Sequence, residues 1–423
     1  MSDRSSEGDG RPMNGRRVAV LLYSSYPSDP RPRRAAEALA GLGATVEVIC
    51  LRQKPDEPRE EIIRGIHVRR ITLKHRRGGK LTYFWQYSAF IFATFFILGW
   101  RSFRRRYDLV HVHNMPDVLV VSALLPKWRG ARVILDLHDP MPELMMTIFG
   151  EKRHRLIRLL RRLEKWSIAR AHVVLTVNET CKKIFSQRSC AADKITVVMN
   201  SPDEGIFAFR PAAPAARRGR FSIMYHGSIV ERHGLDLVVT ALESIRPSCP
   251  AAELHIYGQR TPFLDQVLEQ ARNSPVADAV HYHGPKNLEQ IVAAIHESDV
   301  GVIPNRRSIF TELNTPTRIF EYLSQGLPVV APRAPGILDY FGPDDLAYFE
   351  LGDAPDLARC LRRIHDAPES VPALVEKGQQ VYLDHRWTNE RQRFIDRAAT
   401  LLGVPPPRPR APTPATAVAS SEK

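Results

Sequence analysis

The stretch RRVAVLLYSSYPSDPRPRRAAEALAGLGATVEVICL, residues 16–51, decides the fold class. An apolar run at 16–24 is followed by a helical pattern at 31–43 that ends in glycine, and then by a second apolar run at 44–51. Val- and Ile-rich runs that alternate with helices are typical of parallel strands covered on both faces. The stretch therefore predicts a β-α-β unit at the start of a doubly wound sheet.

The same alternation continues along the chain in two blocks. Further strand-like runs lie at 66–73, 108–114, 131–139, 172–178 and 195–201 in the first block, and at 221–227, 253–259, 280–284, 299–304 and 327–332 in the second. The sequence therefore predicts an α/β protein with two doubly wound, Rossmann-like domains.

The domain limits follow from this pattern. We place an N-terminal domain at 16–204, a linker at 205–220, a C-terminal domain at 221–387 and a last helix at 388–403. That helix is compatible with packing on either domain. The polar leader 1–15 and the Pro-rich tail 404–423 have few large apolar residues, so we expect both to be disordered.

Composition limits the classes of function. The 423 residues include 60 Lys and Arg against 46 Asp and Glu, a formal charge of +14, which points to an anionic partner: nucleic acid, a membrane surface or a phosphorylated small molecule. Five scattered cysteines without a CxxC pair disfavour a zinc ribbon or a disulfide framework and fit a reducing cytosol. The first residues contain no apolar segment, so the sequence does not predict a secretory signal.

An uncharged aromatic segment interrupts the first block. LTYFWQYSAFIFATFFILGW, residues 81–100, contains seven Phe or Trp and has four basic residues on each side. As a helix it would be ~30 Å long, enough to cross a bilayer. Its symmetric basic flanks and its place between strands of one sheet favour a helix in the membrane interface, with 81–106 against an anionic surface. A buried core helix and a membrane span remain alternatives.

Histidines follow two strands of the first block. The run at 108–114 ends in His113 and Asn114, and the run at 131–139 ends in His138 and Asp139. Ligands of open parallel sheets bind beyond the carboxyl ends of the strands. If the two strands are neighbours, both imidazoles meet at one crevice, although a structural histidine explains each residue equally well.

Two segments of the second block are candidate phosphate sites. In YHGSIVERHGLDL, residues 225–237, a strand ends at Gly227 and a helix begins near Gly234 after the basic residues Arg232 and His233. Free amides at a helix N-terminus beside a cation bind phosphate well. An ordinary strand–loop–helix connection has the same appearance.

The second segment is NTPTRIFEYLSQGLPVVA, residues 314–331. Thr315 suits the N-cap and Pro316 the first helical position. Arg318 then lies in the first turn, where a cation opposes the helix dipole, so a phosphate would explain it. Glu321, one turn on, would accept hydrogen bonds from a ribose. The alternative is a surface ion pair between Arg318 and Glu321, worth about 0.3 kcal/mol.

Several common motifs are absent from the sequence. It has no GxxxxGK[ST], no GxGxxG after the first strand, no HExxH and no Asp-x-Asp. These absences disfavour P-loop NTPases and dinucleotide oxidoreductases and give no sign of a metal site.

Five segments together resemble the retaining glycosyltransferases of family 4, which have the GT-B fold, in the branch common in bacterial surface-polysaccharide synthesis. They are SDPRPRRAAEAL, YDLVHVHNMPD, VILDLHDPMPEL, YHGSIVERHGLD and TPTRIFEYLSQGLPVVAP, and the likeness covers about residues 16–402. The resemblance implies two domains facing across a cleft. It implies a nucleotide-sugar donor on the C-terminal domain, an acceptor on the N-terminal domain, retention of anomeric configuration, and neither metal nor cofactor.

The resemblance also implies roles for single residues. The active-site pair would be His138 and Asp139. Donor contacts would come from Gly227, Ser228, Arg232, Thr317, Arg318 and Glu321. The acceptor side would comprise Arg31, His113, Asn114 and Glu143.

The chain departs from the family pattern at three positions. Ser228 stands where an arginine often follows the strand-end glycine. His233 replaces the usual lysine before Gly234. Leu313 stands where a first glutamate is expected, with Glu312 one residue earlier.

Relatives of this kind often use polyprenyl-phosphate-linked saccharides as acceptors. This implies an enzyme peripheral to the inner face of the cytoplasmic membrane that binds no nucleic acid. Three interpretations remain beside it: a nucleotide-sugar epimerase on the same fold, a basic nucleic-acid-binding protein, and an inactive scaffold.

Overall fold

The computed structural model describes residues 11–73, 80–149, 154–213 and 219–406. Most of the expected leader and tail, and part of the expected linker, lie outside these ranges. Residues 11–15 belong to the fold, because the Met13 side chain is fully buried and its amide donates to the Leu42 carbonyl at 3.0 Å. The expectation of a disordered leader is wrong for these five residues.

The N-terminal domain is built on an eight-stranded sheet in the order β3-β4-β2-β1-β5-β6-β7-β8. Its strands are β1 (Arg17–Leu21), β2 (Thr45–Leu51), β3 (Glu60–Ile63), β4 (Ile66–Ile71), β5 (Leu109–His113), β6 (Arg132–Leu137), β7 (Val173–Thr176) and β8 (Ile195–Val197). All neighbours are parallel except the hairpin β3–β4.

Helices cover both faces of this sheet, since buried side chains form one cluster on each side. They are α1 (Pro30–Gly41), α2 (Lys80–Arg104), α3 (Leu124–Trp128), α4 (Met141–Phe149), α5 (His154–Arg170) and α6 (Glu179–Arg188). Short 3-10 helices at Asp117–Ala123 and Ala192–Lys194 complete the domain.

The C-terminal domain has a six-stranded parallel sheet in the order β11-β10-β9-β12-β13-β14. Its strands are β9 (Phe221–His226), β10 (Ala252–Tyr257), β11 (Val280–Tyr282), β12 (Val300–Val302), β13 (Val329–Pro332) and β14 (Ala347–Phe349). Its helices are α7 (Leu235–Ile245), α8 (Pro262–Arg272), α9 (Leu288–His296), α10 (Ile309–Leu313), α11 (Thr317–Ser324), α12 (Pro335–Leu338), α13 (Ala354–Asp366) and α14 (Val371–Asp384). The predicted α/β class with two doubly wound sheets is confirmed.

The last helix, α15 (Trp387–Leu402), follows the C-terminal domain but packs on the N-terminal one. Its buried residues Phe394, Ile395, Ala398 and Ala399 join the core beneath β1 and β2. The fully buried Glu390 accepts a hydrogen bond from the Met199 amide at 2.8 Å. The helix therefore ties the two domains together on the side where the chain crosses between them.

Helix α2 lies at the surface of the N-terminal domain with one face in the core. Phe90 and Leu98 are fully buried, and the Thr94 hydroxyl lies 2.6 Å from that of Ser122. The opposite face exposes an aromatic stripe that consists of Trp85, Phe92, Phe96, Trp100 and Phe103. Among the described residues, no helix combines the length and the apolar character that crossing a membrane requires.

Candidate functional site

Strands β5 and β6 are neighbours, so their carboxyl ends bring two histidines together as predicted. His113 Nδ1 lies 3.0 Å from His138 Nε2. His113 is buried, whereas the His138 side chain keeps about a fifth of its surface exposed. His138 is thus the more exposed member of the pair.

Asn114 fixes the loop that carries His138 and Asp139. Its Oδ1 accepts a hydrogen bond from the His138 amide at 2.8 Å, and its Nδ2 donates to the Asp139 carbonyl at 3.1 Å. The same Nδ2 donates to Asp117 at 2.9 Å. Asn114 therefore acts on the backbone of the site rather than as an exposed side chain.

A buried charge network lies under the two histidines. Arg31 binds Asp136 through two hydrogen bonds, of 2.9 and 2.7 Å, and donates to the Val198 carbonyl at 2.7 Å. The Arg31 guanidinium holds the pKa of Asp136 well below its usual range, against the effect of burial. Arg31, expected on the acceptor side, thus supports the site from inside the domain.

The network contains the described residues whose spacing would suit a metal ion. Ligand atoms of His111, His113 and Asp136 lie within 4.8 Å of one another. Both oxygens of Asp136 are, however, already engaged by the Arg31 guanidinium, whose positive charge would repel a cation. We therefore interpret the group as an ion-pair network and not as a metal centre.

The same contacts favour one tautomer of His113 over the other. His113 Nδ1 lies 3.3 Å from Asp136 Oδ2, and an ionised carboxylate can only accept. A protonated Nδ1 donates toward this oxygen, whereas an unprotonated Nδ1 would direct its lone pair at a negative charge. With the proton on His113 Nδ1, His138 Nε2 is an acceptor and the proton of neutral His138 lies on its Nδ1.

Burial shifts the pKa values of His138 and Asp139. It lowers the pKa of His138 to about 4, so the ring is neutral near pH 7. It also raises the pKa of Asp139 to about 6, an effect that Arg232 and Arg31 oppose. Since Arg232 belongs to the C-terminal domain, Asp139 faces the cleft between the domains.

In the C-terminal domain, β9 leads into a tight loop. Gly227 has a φ of +115°, and a Cβ there would lie 3.3 Å from Arg318 Cδ. The carbonyl of the exposed Ser228 accepts hydrogen bonds from the Tyr225 hydroxyl at 2.7 Å and from His233 Nδ1 at 2.8 Å. His233 therefore shapes the loop, and its position near the strand end is fixed by main-chain contacts.

Gly234 and Arg232 complete this loop. Gly234 has a φ of +60°, and a Cβ would clash with the Pro304 carbonyl oxygen, so only glycine fits at the start of α7. Arg232 lies 5.7 Å above the Phe310 ring, and its buried Nε has no hydrogen-bond partner in the described chain. A buried guanidinium N–H without an acceptor suits an anionic ligand.

Arg318 and Glu321 each have a partner other than one another. Arg318 Nη1 donates to the His226 carbonyl at 2.6 Å, and the guanidinium lies 4.7 Å above the Tyr225 ring. Glu321 Oε2 lies 3.2 Å from His226 Nε2. Burial raises the pKa of Glu321 to about 7, while Arg318 and Arg34 of the opposite domain lower it. The effect of Arg34 shows that Glu321 lies close to the N-terminal domain.

The predicted N-cap at Thr315 is wrong. Helix α11 begins at Thr317 with Pro316 as its N-cap. Thr315 instead donates to the Gly336 carbonyl at 2.5 Å and accepts from Asn178 Nδ2 at 3.1 Å. Because Asn178 is in the N-terminal domain, Thr315 forms part of the domain contact. Thr317 is half-buried in the first turn of the helix.

Two acidic side chains named by the sequence are engaged elsewhere. Glu143 accepts two hydrogen bonds from Arg188, at 2.6 and 2.9 Å. Arg188 also binds Glu164, so it joins α4, α5 and α6. Glu312 pairs with Arg307 at 3.0 Å on the surface, and the Leu313 carbonyl accepts from Asn178 at 2.8 Å. Neither carboxylate is free for a ligand in this arrangement.

A cavity of about 210 Å³ lies beside His138 in the N-terminal domain. It is lined by Leu22, Tyr23, Ser24, Asp29, Tyr87, His113, Asn114, Met115, His138 and Asp139. Sequence reasoning missed Tyr23, Asp29 and Tyr87. The available signal was the SDP motif after β1, which contains Asp29, and the aromatic segment, which contains Tyr87.

Polar contacts hold the domains together at one side of the cleft. Asp339 of the C-terminal domain accepts from the Thr180 amide at 2.5 Å and pairs with Lys183 at 3.0 Å. The Tyr340 hydroxyl accepts from the Glu179 amide at 2.9 Å. The N-terminus of α6 thus anchors on α12 and its following turn, and this places the two strand-end loops opposite each other.

Two family models match the chain. Residues 29–201 match the glycosyl transferase 4-like domain, and residues 220–367 match glycosyl transferases group 1. The two matches correspond to the two sheets described above.

The chain is also similar to curated proteins of Mycobacterium tuberculosis (strain CDC 1551 / Oshkosh). It is 25% identical over 186 residues to "Glycogen synthase", a match of 43% of this chain and 42% of the relative. It is 26% identical over 240 residues to "GDP-mannose-dependent alpha-(1-6)-phosphatidylinositol monomannoside mannosyltransferase", a match of 54% of this chain and 60% of the relative. The chain thus spans about half the length of these relatives.

Solved structures share the fold over nearly the whole chain. Sucrose-phosphate synthase from Thermosynechococcus elongatus superposes with a TM-score of 0.73 at 16% identity, covering 92% of this chain and 99% of the other. Anabaena HepE in complex with UDP gives a TM-score of 0.68 at 14% identity, covering 91% and 100%. At this level of identity, the likeness establishes the arrangement of the two domains.

Proposed function

The chain belongs to the family 4-like glycosyltransferases of the GT-B fold, and we propose that it moves a sugar from a nucleoside diphosphate to a saccharide acceptor. The donor lies in the cleft, with its diphosphate near Arg232 and Arg318 and its ribose near Glu321. The sugar then faces His138 and Asp139, and the acceptor lies on the N-terminal domain. We further propose that the transfer retains the anomeric configuration.

One observation carries this proposal: two guanidinium groups lie at the strand-end loops opposite His138. Arg232 has a buried N–H without a partner, and Arg318 is held by a carbonyl rather than by a carboxylate. Negative charge grows on the diphosphate as the sugar leaves, and preorganised cations stabilise that charge most in the transition state. These arginines would supply the charge that a divalent metal supplies in other nucleotide-sugar enzymes, so we propose transfer without one.

Turnover of sugar nucleotides tests the proposal. The purified protein is incubated with UDP-glucose, GDP-mannose and ADP-glucose, in EDTA and with a panel of glycoside acceptors, and nucleoside diphosphate release is measured. We expect nucleoside diphosphate release from one donor, and we expect its rate to fall at least tenfold in Arg232→Ala. The rate should be unchanged in the control Arg260→Ala, because Arg260 is exposed and pairs with Asp265. No release from any donor in the presence of Mg²⁺ or EDTA would contradict transferase activity.

Analysis of the products separates transfer from its alternatives. A transferase gives a new glycoside, and its anomeric proton coupling reports retention or inversion. An epimerase gives a free epimerised sugar with no acceptor requirement. An inactive scaffold gives neither product, even if it binds the nucleotide.

We also propose that the aromatic stripe of α2 rests on an anionic membrane surface, where a lipid-linked acceptor would be presented. Five large aromatic side chains, each at least half exposed, lie on one helix face, and Arg104, Arg105 and Arg106 follow it. Aromatic rings beside basic groups are typical of helices at the membrane interface. The site of action would be the inner face of the cytoplasmic membrane.

Liposome flotation tests this surface. We expect the protein to float with vesicles that contain anionic lipid, and Phe92→Ser/Phe96→Ser/Trp100→Ser to stay at the bottom. The matched control is Ile62→Ser/Leu288→Ser/Leu338→Ser, which removes three exposed apolar residues elsewhere. Equal flotation of the stripe variant and the control, or no flotation of the unaltered protein, would rule out the proposed surface.

A further inference from the structure

The cavity beside His138 has an unusual set of ionisable groups for an enzyme with so basic a sequence. Among the described residues that line it, the ionisable side chains, apart from two tyrosines, are Asp29, Asp139, His113 and His138, without a lysine or arginine. Burial lowers the pKa of both histidines, so neither contributes positive charge near pH 7. The described lining therefore consists of carboxylates and neutral rings, which favour an uncharged ligand over a phosphate or a carboxylate.

Its other groups suit a polyhydroxylated ring. The Ser24 hydroxyl donates to Asp29 Oδ2 at 2.8 Å, which orients the carboxylate beside the cavity. Tyr23 and Tyr87 lie with ring centroids 4.5 Å apart and give the cavity an aromatic wall. A carboxylate accepts two hydroxyl hydrogen bonds at once, and an aromatic face packs against the C–H groups of a sugar.

The volume of the cavity limits the size of the ligand that it can hold. At about 210 Å³, it lies below the range of about 300–1,000 Å³ usual for pockets that enclose drug-sized ligands. It has room for one ring next to His138 and Asp139, the residues placed near the transferred sugar. A longer acceptor would extend from it into solvent.

We propose that this cavity is the acceptor subsite and that it takes an uncharged sugar ring, held by Asp29 against Tyr23 and Tyr87. This inference rests on the proposed function and narrows its substrate class. The reacting end of the acceptor is then a neutral saccharide unit, so the enzyme extends a glycan and does not glycosylate a phosphate group directly. Any lipid phosphate lies outside the cavity. Tyr87 belongs to α2, so one helix carries both the cavity wall and the aromatic stripe.

Saturation-transfer NMR with defined probes tests the subsite. The full-length protein, in the presence of UDP or GDP, is mixed with methyl α-glucoside, methyl α-mannoside and methyl α-galactoside, and separately with glucose 6-phosphate and mannose 6-phosphate. We expect saturation transfer to at least one neutral glycoside and at least fivefold weaker transfer to the phosphates. Equal or stronger binding of the phosphates would overturn the inference.

Variants tie the binding to the cavity. Asp29→Ala and Tyr87→Ala should each weaken neutral-glycoside binding at least fivefold, whereas Asp56→Asn, which alters an exposed carboxylate of the same domain, should not. Asp29→Asn removes charge without changing size, so it should lower the preference for neutral over phosphorylated sugars. An unchanged preference would show that Asp29 does not select by charge and would overturn the inference.

A further assay distinguishes a failure of the acceptor subsite from a failure of the proposed function. It measures the release of nucleoside diphosphate by the unaltered protein in the absence of acceptor. If donor is hydrolysed but no neutral sugar binds, only the acceptor subsite is wrong. If no donor is hydrolysed and no nucleotide binds, the proposed function itself is wrong.

Discussion

His138 is held by contacts that select a single protonation state. The Arg31–Asp136 ion pair fixes the carboxylate, and the carboxylate favours a proton on His113 Nδ1. With that proton in place, His138 Nε2 accepts and only Nδ1 of His138 is a donor. A neutral imidazole with a fixed donor can bind a hydroxyl or phosphate oxygen, and with a pKa of about 4 it is a poor base near neutral pH. We therefore propose that His138 positions the donor sugar.

Replacement of His113 tests this assignment. We expect His113→Phe to lower kcat about tenfold or more, since His138 loses its fixed orientation, while the affinity for the nucleotide changes less than twofold. Nitrogen-15 NMR of histidine-labelled protein, assigned with His138→Gln, reads the tautomer directly. We expect His138 to be protonated at Nδ1 in the unaltered protein and to sample both tautomers in the variant. An unprotonated Nδ1 of His138 in the unaltered protein would contradict the proton assignment.

Glu321 would give the proposed nucleotide site a pH dependence with a definite sign. Burial raises its pKa to about 7, so the carboxyl is largely neutral at pH 6 and ionised at pH 8. Only the ionised group accepts hydrogen bonds at both oxygens from a ribose diol. The affinity for a nucleoside diphosphate should therefore rise through this range.

Isothermal titration at pH 6 and pH 8 measures this effect. The terminal phosphate of the nucleotide also titrates, but it does so equally with Glu321→Gln, which is the matched reference. We expect the gain in affinity from pH 6 to pH 8 to be at least threefold larger in the unaltered protein than in the variant. Parallel pH dependence in both proteins would exclude Glu321 from the ribose contact.

The raised pKa also affects folding. An unfolded glutamate has a pKa near 4.3, so the folded protein binds the extra proton between this value and about 7. The contribution of Glu321 to the free energy of unfolding is therefore present in acid and is lost as pH rises through 7. Bound nucleotide should offset that loss by binding the ionised form.

At the scale of single residues, the sequence singled out the strand-end histidines, Arg232, Arg318 and Glu321 as candidates but did not predict their partners. Asp136 lies inside β6 and reads as an ordinary strand position, so its ion pair with Arg31, 105 residues away, has no local signature. The partner of Glu321 was equally unpredictable, because His226 comes from a different strand. Such contacts depend on tertiary packing, which no spacing rule encodes.

Among the elements, the loop between β9 and α7 depends most on one residue. Gly234 has a positive φ and lies against the Pro304 carbonyl, so Gly234→Ala should cost about 2 kcal/mol or more of unfolding free energy. Gly284→Ala is the matched control, since its φ is +74° but a Cβ there meets open space, and it should cost only ~1 kcal/mol. Urea unfolding measures both values. Equal costs would mean that the loop moves to accept a Cβ.

Elements with strong local patterns were predicted well. Every apolar run assigned to a strand overlaps one, and the helix predicted at 81–100 is found at Lys80–Arg104. The strand Glu60–Ile63 was missed because its sequence, EEII, has too few apolar residues, and its pairing depends on the hairpin turn at Arg64 and Gly65. Thr315 was assigned as a helix cap because capping preference is local, whereas the Thr315 hydroxyl is engaged by Gly336 and Asn178.

At the scale of the whole molecule, α15 couples the domains by returning to the N-terminal core after the C-terminal domain is complete. Phe394 is buried there, so Phe394→Ala should lower the free energy of unfolding by about 3–5 kcal/mol. Differential scanning calorimetry should show the loss in the transition of the N-terminal domain. A loss confined to the C-terminal domain would contradict the packing. From sequence, this helix was compatible with either domain, because an apolar helix face does not indicate which domain it packs against.

The two domains place different chemical groups at the cleft between them. In the N-terminal domain, the loop after β6 brings the neutral His138 imidazole and the Asp139 carboxyl group to the cleft. In the C-terminal domain, the guanidinium groups come from Arg232 on the loop before α7 and from Arg318 in the first turn of α11. Under the proposed function, neither domain alone would both bind the diphosphate and position the sugar. We therefore expect activity to depend on the domain contacts at Asn178 and Asp339 as well as on the residues of the site.

Nucleotide binding tests the central claim most directly. Thermal unfolding is followed with UDP, GDP, ADP, dTDP and CMP, each without metal, for the unaltered protein, for Glu321→Ala and for the control Glu312→Ala, whose carboxylate pairs on the surface with Arg307. A ligand at 100 times its Kd adds about 2.7 kcal/mol of stability. We expect one nucleoside diphosphate to raise the Tm of the unaltered protein and of the control, and to have little effect on Glu321→Ala. No rise with any nucleotide, or an equal rise in Glu321→Ala, would contradict a donor site in this cleft.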